Sequence, residues 1–181
     1  MGVSGSGKST IGAAIADALA LRFVDGDSLH SPASVKRMQS GVALTDDDRW
    51  PWLDRVGAEL ADATRSPAGV VVACSALKRA YRDRIRAAAP AVRFVFLDGS
   101  QRTIEARMAT RSGHYMPTSL LASQLATLER PDRDERDVVT LSLERPAAEV
   151  VGDAVRALTA TASDDVGRAR ASARSRRASR R

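Results

Sequence analysis

The sequence predicts an α/β domain of three layers, a parallel sheet with helices on both faces, and three observations carry that prediction. Short apolar runs alternate with longer helix-forming segments along the chain, the pattern of strands joined by helical crossovers. One of these runs, Gly69-Val70-Val71-Val72-Ala73-Cys74, is apolar without alternation, as a strand buried on both faces must be. The chain also opens on Gly2-Val3-Ser4-Gly5-Ser6-Gly7-Lys8-Ser9, a G-x-x-x-x-G-K-[ST] loop of the kind that joins a strand to a helix and wraps phosphate groups. A length of 181 residues suits one domain with a full core, and there are no internal repeats.

Each residue type in the loop has a physical task. Gly2, Gly5 and Gly7 let the backbone take positive φ and approach a ligand closely, so consecutive N–H groups converge on phosphate oxygens. Lys8 adds a point charge for the β- and γ-phosphates, and the Ser9 hydroxyl is placed to bind Mg2+. The expected nucleotide contacts of this P-loop NTPase fold are therefore Gly2, Ser4, Gly5, Ser6, Gly7, Lys8, Ser9 and Thr10. The apolar segment from Ile11 to Leu21 is the helix whose N-terminal N–H groups and dipole hold the anion. A buried strand normally leads into such a loop, and no residue precedes Met1 to form it. The first strand is thus expected to be missing from the chain as given, with the true start upstream and Met1 at that strand's end. Loss of a buried parallel strand would strip its neighbours of ladder hydrogen bonds.

The remaining elements follow in order. Arg22 to Asp27 is a short strand ending in two carboxylates, and Ser28 to Gln39 is a short helix with a Ser31-Pro32 start. Ser40-Gly41 breaks it. Thr45-Asp46-Asp47-Asp48 supplies cap candidates and first-turn acids for a long helix through Ala63, with Pro51 tolerable near its start. After the valine-rich strand comes a basic helix from Ala76 to Ala89, then a strand from Val92 to Leu97 and a helix from Ser100 to Arg111. Gly113 interrupts, a helix from Thr118 to Glu129 follows, and Val138 to Leu143 with Pro146 to Leu158 make the last strand and helix.

Composition narrows the class. Hydrophobic residues at 44% and charged residues at 28% describe a soluble globular chain. No apolar run reaches membrane-span length and no secretory signal opens the chain. The single Cys74 excludes an internal disulfide framework, fits a reducing cytoplasm, and reads as a small buried residue rather than a nucleophile. The net charge of +6 is uneven, because the last twenty residues hold seven Arg against two Asp. Without them the remainder carries 21 basic and 20 acidic residues, a net of +1, which argues against a nucleic-acid-binding core. Residues 161–181 read as a disordered Arg-rich tail, a solvated extension whose polyanion contacts would be non-specific. Residues 1–160 form the folded domain.

In a parallel sheet of this kind, ligands bind beyond the carboxyl ends of the strands. The phosphate loop, the Asp25-Gly26-Asp27 turn, Cys74-Ser75-Ala76-Leu77-Lys78 and Leu97-Asp98-Gly99 all follow strands or lead from them, so they share one rim. One of the two aspartates could hold Mg2+ while the other accepts a proton from an attacking hydroxyl; the bland alternative is an ordinary Asx-type turn. No acid closes the Val70–Cys74 strand, which makes Asp25 the magnesium residue alongside Ser9 and leaves Asp27 for the proton.

These motifs, taken together, resemble one family. The phosphate loop, Asp-Gly-Asp-x-x-His (Asp25, Asp27, His30), Leu-Thr-Asp-Asp-Asp-Arg-x-Pro-Trp-Leu (Leu44 to Leu53), Cys-Ser-Ala-Leu-Lys (74–78) with Tyr81-Arg82-Asp83, and Arg-x-Gly-His (Arg111, Gly113, His114) look like gluconokinase of the thermoresistant type, related in fold to shikimate and adenylate kinases. The resemblance covers residues 1 to about 158. It implies transfer of the ATP γ-phosphoryl to the 6-hydroxyl of D-gluconate with Mg2+, in the cytoplasm, by a family that is often dimeric. Gluconate has one carboxylate and many hydroxyls, so its site needs a cation at one end and hydrogen-bonding groups between. Asp27, His30, Arg49, Lys78, Arg82 and His114 are the expected substrate contacts, with Lys8, Asp27 and Arg111 catalytic. Related kinases carry a mobile lid, here near 107–130, whose Arg107 and Arg111 would swing over the phosphates. By resemblance alone, the loop holding Arg145 borders the adenine. Open alternatives are a kinase for another small sugar acid or polyol, a nucleic-acid-associated NTPase, and an inactive N-terminally truncated remnant.

Overall fold

Gly7 adopts a left-handed backbone, φ 83°, and there the phosphate loop turns into α1 (Lys8–Ala18). The computed structural model describes residues 1–64, 69–109 and 119–160. Strand β1 (Arg22–Asp25) follows α1 and ends in a single 3-10 turn (Gly26–Leu29) capped by the Asp25 side chain. The expected Ser28–Gln39 helix is therefore split: His30 and Ser31 are extended, and α2 (Pro32–Gln39) restarts with Ser31 as cap, its hydroxyl accepting the Ser34 N–H, and Pro32 in the first turn.

Helix α3 (Asp46–Thr64) begins with a reciprocal cap. The Asp48 N–H donates to Thr45 Oγ1 at 3.2 Å while Asp48 Oδ2 accepts the Thr45 N–H at 2.9 Å, a capping box closed by Asp instead of Glu. The first-turn aspartates then meet the helix dipole favourably. Strand β2 (Val70–Ala73) leads through an irregular turn to α4 (Arg79–Ala88). That helix starts later than its composition suggests, because Ala76 sits at φ 35° and Lys78 is extended. Strand β3 (Phe94–Asp98), α5 (Gln101–Ala109), α6 (Ser119–Thr127), β4 (Val138–Ser142) and α7 (147–160) complete the order.

The strands are parallel, as expected, but they come in two pairs. Strand β1 runs beside β2 from Arg22↔Val70 to Asp25↔Ala73, and β3 beside β4 from Phe94↔Val138 to Asp98↔Ser142. Between β2 and β3 only the first two residues bridge. The Leu97 N–H donates to the Met1 carbonyl at 2.9 Å, and the Gly2 N–H reaches the Ser75 carbonyl at 3.4 Å. Val70, Val71 and Val72, which read as a fully buried strand, are only half-buried, and among the described residues no strand pairs with their second edge.

Two apolar clusters flank the sheet. One gathers Val3, Ile11, Ile15, Leu97, Ile104 and Val150 beneath α1, α5 and α7, and the other gathers Trp52, Leu53, Val56, Tyr81 and Ile85 where α3 packs on α4. Trp52, Leu53 and Val56 have no exposed surface, so this part of α3 is core. Among the described residues no helix is long and apolar enough to cross a membrane.

Candidate active site

The phosphate loop is held from three sides. Its glycines take positive φ where a side chain would strain, 149° at Gly2, 78° at Gly5 and 83° at Gly7. Gly5 also has no room for a Cβ, which would stand 2.5 Å from Met108 Cγ, so α5 lies directly on the loop. Helix α6 reaches it from another side: the buried Ser4 N–H donates to Gln124 Oε1 at 2.7 Å. Within the loop, Lys8 Nζ donates to the Val3 carbonyl at 2.9 Å, which keeps the ammonium folded over the concave face. Arg107, on α5, donates to the Leu143 carbonyl at 2.7 Å, and its guanidinium is the side chain nearest Gly7 after Ile11.

The Asp25-Gly26-Asp27 turn meets this loop. Ser9 Oγ donates to Asp25 Oδ2 at 2.8 Å, and Asp25 Oδ1 accepts the Asp27 N–H at 3.1 Å. One carboxylate thus ties the loop helix to the turn, while the Asp27 side chain is exposed at the rim. Gly26 makes the approach possible, since a Cβ there would lie 2.4 Å from the Ala73 carbonyl oxygen. Hydroxyl and carboxylate oxygens are the hard donors Mg2+ takes, together with retained waters and substrate phosphate, so Ser9 and Asp25 fit that ion.

A second group sits where α3 and α4 begin. Asp46 accepts Lys78 Nζ at 2.7 and 2.8 Å and the Tyr81 hydroxyl at 2.5 Å. Those hydrogen bonds, from Lys78 first and then Tyr81, hold the Asp46 carboxyl below the usual carboxylate range. The Arg49 guanidinium lies 5.8 Å above the Tyr81 ring, and Trp50 meets the same ring edge-on at 5.5 Å. His30 stacks on Trp52 at 4.3 Å, and Trp52 donates to the Gly26 carbonyl at 2.7 Å, so His30 is fixed to the aspartate turn. Burial lowers the His30 pKa to about 4, with Arg49 and Arg55 adding to the effect, and its Nδ1 is buried without a partner among the described residues. His30 is therefore a neutral donor and acceptor and not a cation.

Arg82 is placed differently from the expectation. It is 1% exposed, and Nε and Nη2 fork onto Glu135 at 2.7 and 2.6 Å while Nη1 donates to the Glu129 carbonyl at 3.1 Å. Weaker bonds from Nη1 to the Ala76 and Leu77 carbonyls grip the strained turn that delivers Lys78. A guanidinium so enclosed supports the rim from behind. Arg145 is exposed and paired with Glu149 and Asp153 of α7. Cys74 is buried, and burial lifts its thiol to about 11, as a structural cysteine requires. Arg111 and His114, residues 110–118 of the expected lid, and the tail lie outside the described residues.

Sequence reasoning assigned Asp46 to helix capping and gave Tyr81, Gln124 and Glu135 no role. Asp46 and Tyr81 carried a signal, since both stand in the motifs already quoted. Glu135 carried none, being 53 residues from Arg82 with an unremarkable neighbourhood.

The sequence profile described as an AAA domain matches residues 1–131. The chain is 44% identical over 161 residues to the thermosensitive gluconokinase of Escherichia coli (strain K12), covering 88% of this chain and 86% of that protein. It is also 44% identical over 156 residues to the gluconokinase of Gluconobacter oxydans (strain 621H), covering 86% and 87%. The chain belongs to the gluconokinase family. A solved gluconokinase from Sinorhizobium meliloti 1021 superposes with a TM-score of 0.83 at 49% identity, over 93% of this chain and 94% of that one. The APS kinase of Mycobacterium tuberculosis, at a TM-score of 0.60 and 21% identity over 88% and 94%, shares the fold alone. The matching profile spans the whole Gly2–Ser9 loop.

Proposed function

We propose that the chain transfers the γ-phosphoryl of ATP to the 6-hydroxyl of D-gluconate, forming 6-phospho-D-gluconate and ADP. The observation that carries this reading is the Ser9–Asp25 hydrogen bond, 2.8 Å, which sets the exposed Asp27 carboxylate beside the phosphate loop. Family membership supplies the substrate. Asp27 accepts the proton as the sugar hydroxyl attacks, and Lys8 with the arginines 107 and 111 balances charge on the transferred group. Mg2+, held by Ser9 and Asp25, supplies neutralisation of the phosphate oxygens when bound.

Gluconate's carboxylate meets Arg49, whose planar fork suits it and whose partner among the described residues is a ring and not an acid. Lys78, oriented by Asp46, and neutral His30 bind hydroxyls, joined by His114. Arg82 builds the rim without touching substrate. Phosphoryl transfer depends mainly on positioning and electrostatics, so no covalent enzyme intermediate forms. The site belongs to a cytoplasmic enzyme using a diffusible sugar acid. A coupled ADP-release assay over a panel of aldonic acids, polyols and shikimate tests the reading: gluconate is expected to give the highest kcat/KM, and an equal rate on shikimate overturns it.

A further inference from the structure

The end of α6 makes hydrogen bonds to both halves of the site. In its last turn the Gln124 carboxamide oxygen accepts the Ser4 N–H of the phosphate loop at 2.7 Å, and both residues are buried. Just past the helix, Glu129 reaches the turn between β2 and α4. Its N–H donates to the Leu77 carbonyl at 3.0 Å, and its Oε2 accepts the Arg79 N–H at 2.7 Å. Glu129 therefore brackets Lys78, holding the backbone on either side of it.

Each bond answers a local need. A buried backbone N–H requires an acceptor, and for Ser4 the Gln124 side chain supplies it from the far end of the chain. At α4 the N-cap residue, Lys78, makes no side-chain capping bond. The first helical amide is instead met from across the site by a carboxylate, which also faces the positive end of the helix dipole. Arg82 adds a further grip, Nη1 donating to the Glu129 carbonyl at 3.1 Å. Between these ends the span is packed. It is helical through Thr127, and Leu125 and Leu128 lie against the apolar cluster that holds both Val3 of the loop and Leu77 of the turn.

We infer that the span from Gln124 to Glu129 is a strut between the phosphate loop and the α3–α4 rim, with Gln124 and Glu129 as positioning residues that act through Ser4 and Lys78. The inference rests on the proposed function in one respect, that nucleotide fills the loop and a gluconate hydroxyl meets Lys78. Phosphoryl transfer needs such a strut because donor and acceptor are held by different elements, one by the loop before α1 and the other by the start of α4. A misplacement of about 1 Å between reacting groups can cost about 10²-fold in rate. The strut also lets the two sites sense each other, since order imposed on Ser4 by a bound phosphate is carried to Leu77 and Arg79.

Amide hydrogen exchange tests the strut without turnover. In the ligand-free chain, Gln124→Met keeps the bulk of the side chain and removes the acceptor. It is expected to speed exchange at Glu129 and Arg79 about fivefold or more, while the Leu143 amide, bonded to the Asp98 carbonyl, is unchanged. In the wild type, Mg2+ with a non-hydrolysable ATP analogue should slow the same two amides by a similar factor, and Gln124→Met should lose that response. Amides at Glu129 and Arg79 that ignore Gln124→Met or the bound analogue, or a response that survives the substitution, overturn the inference. So does acceleration shared by Leu143, which would mark a general loss of stability. An analogue that fails to bind the wild type removes the kinase reading, and the ligand-free comparison still decides the strut. Kinetics give the second readout. Glu129→Ala should raise KM for gluconate about tenfold with KM for ATP within about threefold, and Glu129→Gln, which keeps an acceptor for the Arg79 N–H, should restore it. An unchanged KM for gluconate in Glu129→Ala, or equal changes for both substrates, would overturn the positioning role.

Discussion

Ser9 and Asp25 are joined by a 2.8 Å hydrogen bond, although one opens the helix after the phosphate loop and the other closes the adjoining strand. This bond makes the two aspartates unequal. Asp25 is spent on holding the loop and capping the 3-10 turn, while Asp27, two residues on, keeps its carboxylate at the rim. Asp27→Asn is therefore expected to lower kcat by about 10²–10⁴, the range for a lost general base, with KM for ATP within about threefold. Lys8→Ala should abolish turnover. Steady-state kinetics with both substrates varied is the check, and normal kcat in Asp27→Asn would remove the base assignment.

Lys78 gives a prediction of another kind. Its ammonium is held by both oxygens of Asp46, and the Tyr81 hydroxyl shares that carboxylate. Asp46→Asn keeps the shape and removes the charge that orients Lys78. The expected result is KM for gluconate raised roughly tenfold, about 1.4 kcal/mol, with KM for ATP unmoved. A double-mutant cycle with Lys78→Met should show the two losses to be non-additive. Equal effects on both substrates would mean that Asp46 serves the fold and not the site.

How far the sequence reveals this site depends on the distance over which each signal acts. The loop, the Asp25–Asp27 turn and the capping residues of α3 are local patterns, and each stands where its spacing predicts. Element types are legible for the same reason, whereas the start of α4 is not, because Ala76 takes a positive φ that no local pattern marks. Arg82 shows the limit most clearly. Its position in a conspicuous motif suggests substrate contact, but its partner Glu135 arrives from a distant loop that no local pattern marks.

That pair predicts a stability effect without a direct catalytic one. Arg82 and Glu135 are both buried, at 1% and 5% exposure, and Arg86 adds a third bond at 2.7 Å. Arg82→Ala leaves a carboxylate enclosed with one cation, and breaking such a pair costs about 3–5 kcal/mol. Denaturant unfolding should record that loss. Arg82 and then Arg86 hold the Glu135 pKa down to about 2 from 4.5, so its contribution is complete above pH 4.5 and is lost as pH falls toward 2.

His30 titrates with the same direction of effect on stability by the opposite route. Its pKa is lowered from 6.5 to about 4, so the unfolded chain binds a proton between those values that the folded chain does not. Stability therefore falls as pH drops from 6.5 to 4, and His30→Asn, which cannot charge, should flatten that part of the pH–stability curve. The same shift keeps the imidazole neutral in the folded chain well above pH 4. KM for gluconate should consequently show no inflection attributable to His30 between pH 5.5 and about 8, although His30→Ala should raise it through loss of a hydrogen bond. A wild-type inflection near pH 6.5 that disappears in His30→Asn would show that bound substrate restores the charge, and would return His30 to the cations of the site.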